Sequence, residues 1–475
     1  MGGAGSAMGG AGSAMDGGAD GSDAGAVAFV DYRSGTRLRA MFYEVPGGVR
    51  VWHGWFDQAL GVPCAFVSAD DGKLRCLPTG RYVNRFTDDQ CTEPVAYVPD
   101  SPSDDPTCGP PKFVVQRTNP CGSTFAAWVV GAATTVTSAV KASQDGACDK
   151  QAAPDAQGYA VSRKASSDFV SATMVVEART AELGVTYYEA EDGARQPVSP
   201  YDRNRLSPCD AAGGEDEYSQ RCVPRHTAEA RSLYYSDESC TEQVADVTAC
   251  AADEVSAVMM IAVTEQPQYY YEVRSYANLG TPVASAHTKL NPLSCQEAAS
   301  IPALSFFEIG APIAPWELPK VATVDLGSGR VRARYYASSD GQPLTLQALY
   351  DTEIGAPCSP LPSDSGERCF PGDVSASISP SSVLYEDGAC LHPSYLVQGD
   401  TLVPAYYATP NATTGCVQPE FAEWLVDPSS TGLSVYYKEI GSCVLASDLY
   451  GYGVLIHELS SVPSSSLGPV IDSID

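Results

Sequence analysis

From about residue 26 the chain runs in short blocks of alternating apolar and polar residues, rich in Val, Tyr, Thr and Phe. Gly, Pro, Asp or Ser breaks them every eight to twelve residues. A period of two predicts β-strands. No stretch carries the ~3.6-residue period of an amphipathic helix. RLRAMFYEVPGG (37–48), GVTYYEAEDG (184–193) and RVRARYYASSDG (330–341) each read as a strand with aromatic residues near its end, running into a Gly-containing turn. The run SAVMMIAV (256–263) has strand length and falls well short of the ~18 apolar residues of a spanning helix.

The cysteines recur with a period near 148 residues. Cys64, Cys209 and Cys358 each follow a proline, and Cys76, Cys222 and Cys369 sit in RCLP, RCVP and RCFP. Cys91, Cys240 and Cys390 close FTDDQC, YSDESC and YEDGAC, and Cys148, Cys295 and Cys443 supply the last mark. Covalent marks repeated three times predict three copies of one folding unit, over residues 26–172, 173–321 and 322–462. Residues 1–25, a repetitive Gly/Ala/Ser segment, are expected to be a disordered tether, and 463–475 a flexible tail. Each unit has room for two groups of four strands. The expected fold is therefore all-β and six-bladed β-propeller-like, with three tandem β-sandwich or barrel domains as the alternative. FVSATMVVEART and PKVATVDLGSG look like strands continuing across the unit seams, which favours the ring.

Sixteen cysteines against five histidines, without C-x2-C pairs, argue for disulfides in an oxidising compartment rather than zinc. Pairing neighbours gives Cys64–Cys76, Cys91–Cys108, Cys121–Cys148, Cys209–Cys222, Cys240–Cys250, Cys358–Cys369 and Cys416–Cys443. Cys295 and Cys390 are left over, as buried thiols or as partners across a seam. Each bond is expected to hold a loop and to contribute on the order of 3 kcal/mol through the unfolded chain. Arg75, Arg221 and Arg368, at one place in the repeat, could pair with Asp88, Asp237 and Asp387.

The formal charge of −29 and pI near 4.4 exclude nucleic acid and an anionic membrane face as partners. They suit an extracellular, outer-membrane-surface or periplasmic setting. The opening segment is like the tether behind the acylated cysteine of a lipoprotein, which predicts a lipid-anchored or peripheral protein rather than a transmembrane one.

Candidate chemistry is sparse. His53, His226, His287, His392 and His457 share no place in the repeat. His53 lies between Trp52 and Trp55 in VWHGWF, so these three could form a ligand-contacting patch or simply a packed strand. Paired carboxylates would suit glycan hydrolysis, with Asp57, Asp351 and Glu439 as candidates. Asp70 and Asp71, Asp192 and Asp340 precede glycines and read first as turn residues. No cofactor is predicted, and calcium on ADDG or EAEDG is the only metal reading. Doubled tyrosines such as Tyr187-Tyr188 and Tyr335-Tyr336 should place one ring inward and one outward.

The F/Y-x-D-x-x-C hexad, the RC-apolar-P tetrad, the YY or FY strand end and phrases such as FFEIGAPIAP together resemble cysteine-rich repeat proteins of myxobacteria. The likeness covers about 430 residues. It implies an exported lipoprotein with a Gly/Ala/Ser tether, and no functional residue. Two readings of function follow. One is a non-catalytic scaffold or binding protein at the cell surface, its protein or glycan ligand unspecified. The other is a secreted propeller enzyme acting on glycans through carboxylates near a central pocket.

Overall fold

The aromatic-tipped strands Leu38–Val45, Leu183–Ala190 and Val331–Ser338 hold the same place in three antiparallel meanders. The first continues through Val49–Asp57, Val62–Ser68 and Leu74–Pro78. The second comprises Ser171–Ala178, Leu183–Ala190, Arg195–Asp202, Ser207–Ala211 and Cys222–Pro224. The third runs Val321–Leu326, Val331–Ser338, Pro343–Asp351, Ala356–Ser363 and Gly366–Pro371. This computed structural model describes residues 32–474 except 80–84, 99–109, 119–123, 143–147, 152–156, 212–217, 299–303, 372–383, 386–392, 399–405, 411–420, 446–453 and some shorter stretches. Across 97–98, 139–157, 262–273, 290–291 and 384–462 it describes backbone alone.

The leading strand of the first meander comes from the far end of the chain. Ile471–Ile474 pairs with Leu38–Val45, setting Asp472 opposite Tyr43. Met174 stands opposite Tyr188 and Thr323 opposite Tyr336 in the same register. Residues 463–475, expected to be a flexible tail, thus contain a pairing strand; four residues with two polar positions are too few to show a period. Just before each of these seam strands lies a buried apolar residue, Phe169, Leu318 or Leu467, and Ala172, Val321 and Val470 are buried in turn. The Cys76 and Cys222 amides donate to the Val170 and Pro319 carbonyls at 3.0 Å, and Cys369 pairs with Gly468. Each meander is joined to the next, and the third to the first.

This cyclic arrangement accounts for the tyrosine doubling. Leu38, Ala40 and Phe42 face a core shared with Val170 and Ala172 at the seam and with Tyr188 and Ala194 of the second unit. Tyr43 and Val45, on the opposite face, join Val331, Tyr335, Leu349 and Val470. Leu183, Val185 and Tyr187 share a third core with Val321, Leu344 and Tyr336. Each sheet is covered on both faces, so Tyr188 and Tyr336 pack against neighbours instead of forming an outward row.

The back halves do not repeat one four-stranded blade from unit to unit. In the second unit Thr227–Ala230, Val244–Thr248, Leu304–Ile313, Tyr269–Val283 and Ala257–Gln266 close a barrel. Val95–Val98, Gln157–Arg163, Phe125–Thr134 and Phe113–Arg117 form a sheet of the corresponding order in the first. Short strands split off into three-stranded groups, such as Tyr234–Tyr235 with His287–Asn291 and Ser294–Glu297. The expected six equal four-stranded blades are replaced by a ring of three meanders with smaller sheets attached.

Cys64–Cys76, Cys209–Cys222 and Cys358–Cys369 are bonded, each with Cα atoms 5.2 Å apart. Each links adjacent strands on a diagonal, since Phe66 opposes Cys76, Ala211 opposes Cys222 and Pro360 opposes Cys369. All six cysteines are buried in the three cores, so these bonds are part of the packing rather than ties for exposed loops. Cys240 is bonded to Cys295 and not to Cys250, which also corrects the reading of Cys295 as a leftover. The reason is spatial: Tyr234–Tyr235 delivers Cys240 beside the hairpin that carries Cys295. Cys91 is also disulfide-bonded. The expected bonds Cys91–Cys108, Cys121–Cys148 and Cys416–Cys443, and the state of Cys390, lie outside the described residues.

Candidate functional site

Trp52, His53 and Trp55 do not form one patch. In the pairing of Leu38–Val45 with Val49–Asp57, Met41 opposes Gly54 and Phe42 opposes Trp52, which leaves His53 as the extra residue of a bulge. The bulge recurs in register, with Val198 and Gln347 as the extra residues of the other units. Trp55 is fully buried, and its indole N–H donates to Gln196 Oε1 at 2.9 Å. Trp52 stacks on Tyr32 with ring centroids 5.1 Å apart and tilts against Trp55 at 5.9 Å. Both tryptophans are thereby committed to the core between the first and second units.

His53 belongs to a different neighbourhood. Its ring stacks on Tyr43 at 4.0 Å, and Nε2 lies 2.9 Å from Asp472 Oδ1 on the closing strand. Glu367 of the third unit completes the group. Burial first, and then the charge of Asp472, push its carboxyl above the usual carboxylate range, against a lowering by His53. Tyr43 is pushed up to about 12 by burial, with Glu367 and Asp472 adding to it. The corresponding positions hold Val198 and Met174 in the second unit and Gln347 and Thr323 in the third. A paired imidazole and carboxylate, with the Glu367 carboxyl within reach of their charges, therefore mark only one of the three seams among the described residues. Such a group can hold a proton, or hydrogen-bond a hydroxyl or ammonium group.

The carboxylates considered for glycan chemistry have structural partners instead. Asp57 is wholly buried and receives Arg37 Nε and Nη2 at 2.9 and 2.7 Å, besides the amides of Ala59 and Leu60. Asp351 repeats this with Arg330 Nε and Nη2 at 2.9 Å and the Glu353 and Ile354 amides. The side chain of Glu439 lies outside the described residues, as do those of His392 and His457. His226 Nδ1 lies 3.9 Å from Glu254, and His287 is half-buried on its strand.

In the first two units Arg75 and Arg221 take partners other than the expected Asp88 and Asp237. Arg75 Nη1 donates to the Phe169 carbonyl at 2.7 Å and its Nε to Asp71 at 2.9 Å; Arg221 Nη1 donates to the Leu318 carbonyl at 3.1 Å. These arginines clamp the segment entering each seam strand. Asp88 and Asp237 instead organise their own turns, accepting from the amides of Thr92 and Glu93 and of Thr241 and Glu242. Asp387 lies outside the described residues. The calcium reading also meets other partners. Asp70 is engaged by Arg163 and Ser166, while Asp192 accepts from the Arg37 and Leu38 amides at 3.0 and 2.7 Å. Among the described residues no three His, Cys, Asp or Glu side chains are grouped to hold a metal ion. None of the described helices is long and apolar enough to cross a membrane.

The sequence reading overlooked the exposed apolar side chains. Trp316 is 79% exposed, on a short 3-10 turn flanked by prolines and tied by Glu317 to the Ala314 amide at 2.9 Å. Met174 and Val176 stand out from one seam strand, and Ile471 and Ile474 from the closing one. Val176 and Ile474 occupy the same register position. Period-two reasoning assigns a large apolar residue to the interior, so it had no means of marking these as surface.

Residues 22–397 match the model of DUF7481, a family of unknown function. The chain belongs to that family. No curated protein and no solved structure matches it. Membership therefore carries no assigned chemistry.

Proposed function

We propose that this protein is an exported, disulfide-stabilised scaffold that binds a protein or glycan at the cell surface without transforming it, held there through its Gly/Ala/Ser-rich N-terminal segment. One observation carries the reading: the polar groups repeated from unit to unit serve the fold itself. Asp57 and Asp351 are shut inside with their arginines, Arg75 and Arg221 hold carbonyls, and Asp88 and Asp237 hold turns. A catalytic carboxylate must reach its substrate, and the two fully buried candidates cannot. The outward-facing features are apolar: Trp316 on its constrained turn, and Met174, Val176, Ile471 and Ile474 on seam strands. Exposed aromatic and aliphatic groups on rigid strands are the usual material of a contact surface. A large negative charge keeps such a surface soluble.

The test is an array of glycans and surface proteins probed with the oxidised, full-length chain. For the ligand captured, Trp316→Ala or Met174→Ser/Val176→Ser should weaken binding roughly tenfold or more, about 1.4 kcal/mol, with thermal stability unchanged. Cleavage of any arrayed glycan that persists in these variants would overturn the reading.

A further inference from the structure

We propose that Cys91 is joined to Cys148, and that each unit carries a staple of the Cys240–Cys295 kind. The geometry of the second unit sets the pattern. Cys240 stands five residues after Tyr235, the end of a two-residue strand. That strand pairs Tyr234 with Thr288, and one row further along the hairpin Lys289 opposes Cys295. In the first unit Cys91 stands five residues after Phe86. Arg85 pairs with Lys141, and one row further Ala142 opposes Cys148. The two cysteines therefore hold matching positions on matching three-stranded sheets.

The turn that carries the first cysteine is also the same. Cys91 and Cys240 have φ of 53° and 52°, a left-handed conformation uncommon for a non-glycine residue. Each amide donates to the carbonyl of the Asp three residues earlier, Asp88 or Asp237. Two residues in one rare conformation, on the same capped turn, aim their Cα–Cβ bonds alike. Cys91 is already known to be in a disulfide, and Cys148 is where its counterpart's partner lies.

The backbone pairing extends the inference to the third unit. Leu384 pairs with Tyr437, and Lys438, one row further, opposes Cys443. Cys390 follows Tyr385 by five residues in sequence. The bond expected there is Cys390–Cys443. Each bond forms as two thiols give up two protons and two electrons to an external disulfide, which is reduced to a dithiol.

Non-reducing digestion of the full oxidised chain tests this directly. Trypsin followed by a protease that cleaves before aspartate separates Cys91, Cys108, Cys121 and Cys148 onto different peptides, by cuts at Asp100, Lys112, Arg117 and Lys141. The expected result is one linked peptide containing Cys91 and Cys148. A Cys91–Cys108 or Cys121–Cys148 link would overturn it. Independently, Cys148→Ser should expose one extra alkylatable thiol, located at Cys91; its appearance at Cys121 instead would overturn the inference without requiring the native peptide map.

Discussion

At the scale of single residues, the three units solve one problem twice and leave it open once. Asp57, Asp202 and Asp351 occupy the same position, at the end of the strand that follows each aromatic-tipped strand, and all three are at most 2% exposed. Asp57 and Asp351 each face an arginine that stands one residue before the neighbouring strand, Arg37 and Arg330. In the second unit that place holds Glu182. Asp202 is left with Arg205 at 3.9 Å, and its Oδ2 is buried without a hydrogen bond. Burial raises the Asp202 pKa, and the charge of Glu182 raises it further. A carboxyl whose folded pKa is raised contributes stability at low pH that is lost as pH rises through that folded value. Glu182→Arg should supply the missing fork and stabilise the protein by about 1–2 kcal/mol near neutral pH. The gain should shrink as pH falls through the raised folded value of wild-type Asp202, because the arginine fork favours only the ionised carboxylate. Thermal denaturation of both proteins across the acid range checks this. A variant no more stable than the wild type at neutral pH would refute the repeat-based assignment of the position.

At the scale of elements, the Asp-x-x-Cys turn is a local device with its own pH response. The Glu242 amide and the Thr241 hydroxyl hold the exposed Asp237 carboxylate down at about 2. A depressed folded pKa means that the stabilisation is complete above the unfolded value near 4 and disappears as pH falls through about 2. Amide exchange at Thr241 and Glu242 should therefore quicken as pH is lowered across that window, relative to the intrinsic rate. Asp237→Asn should show the quickening already at neutral pH; identical protection in the two proteins would remove Asp237 from the role. The sequence displayed this turn, the strands and the repeat plainly, because alternation, turn residues and spacing are local signals. Partners were not local. Alternation shows that Leu38, Ala40 and Phe42 share a face but not that Tyr43 and Val45 also meet a core, a consequence of the ring. Pairing neighbours along the chain joined Cys240 to Cys250, because the sheet that brings Cys295 close depends on a strand of only two residues. The Trp52, His53 and Trp55 group looked continuous because a one-residue bulge is invisible to a period-two reading.

At the scale of the whole molecule, stability should depend on the last few residues far more than their sequence suggests. Ile471–Ile474 covers the edge of Leu38–Val45 that would otherwise present unpaired backbone groups. Leu467 packs against Phe370 in the third unit, and Val470 enters the core between the third and first units. Each is at most 4% exposed. Burial of such a side chain is worth about 1.5–3 kcal/mol, so deleting residues 467–475 should cost roughly 3–6 kcal/mol before the lost strand hydrogen bonds are counted. Leu467→Ala alone should cost about 2–4 kcal/mol, since it packs against the fully buried Phe370 and its loss leaves a cavity there. Deletion of residues 1–25, by contrast, should leave the melting temperature unchanged. Denaturant unfolding of the three variants compares these effects, and hydrogen exchange locates them. In the truncated protein, protection should be lost first along Leu38–Val45 and around Val331, the two sides of the opened seam. A truncated chain with the wild-type midpoint and intact protection there would show that the first and third meanders hold together without the closing strand.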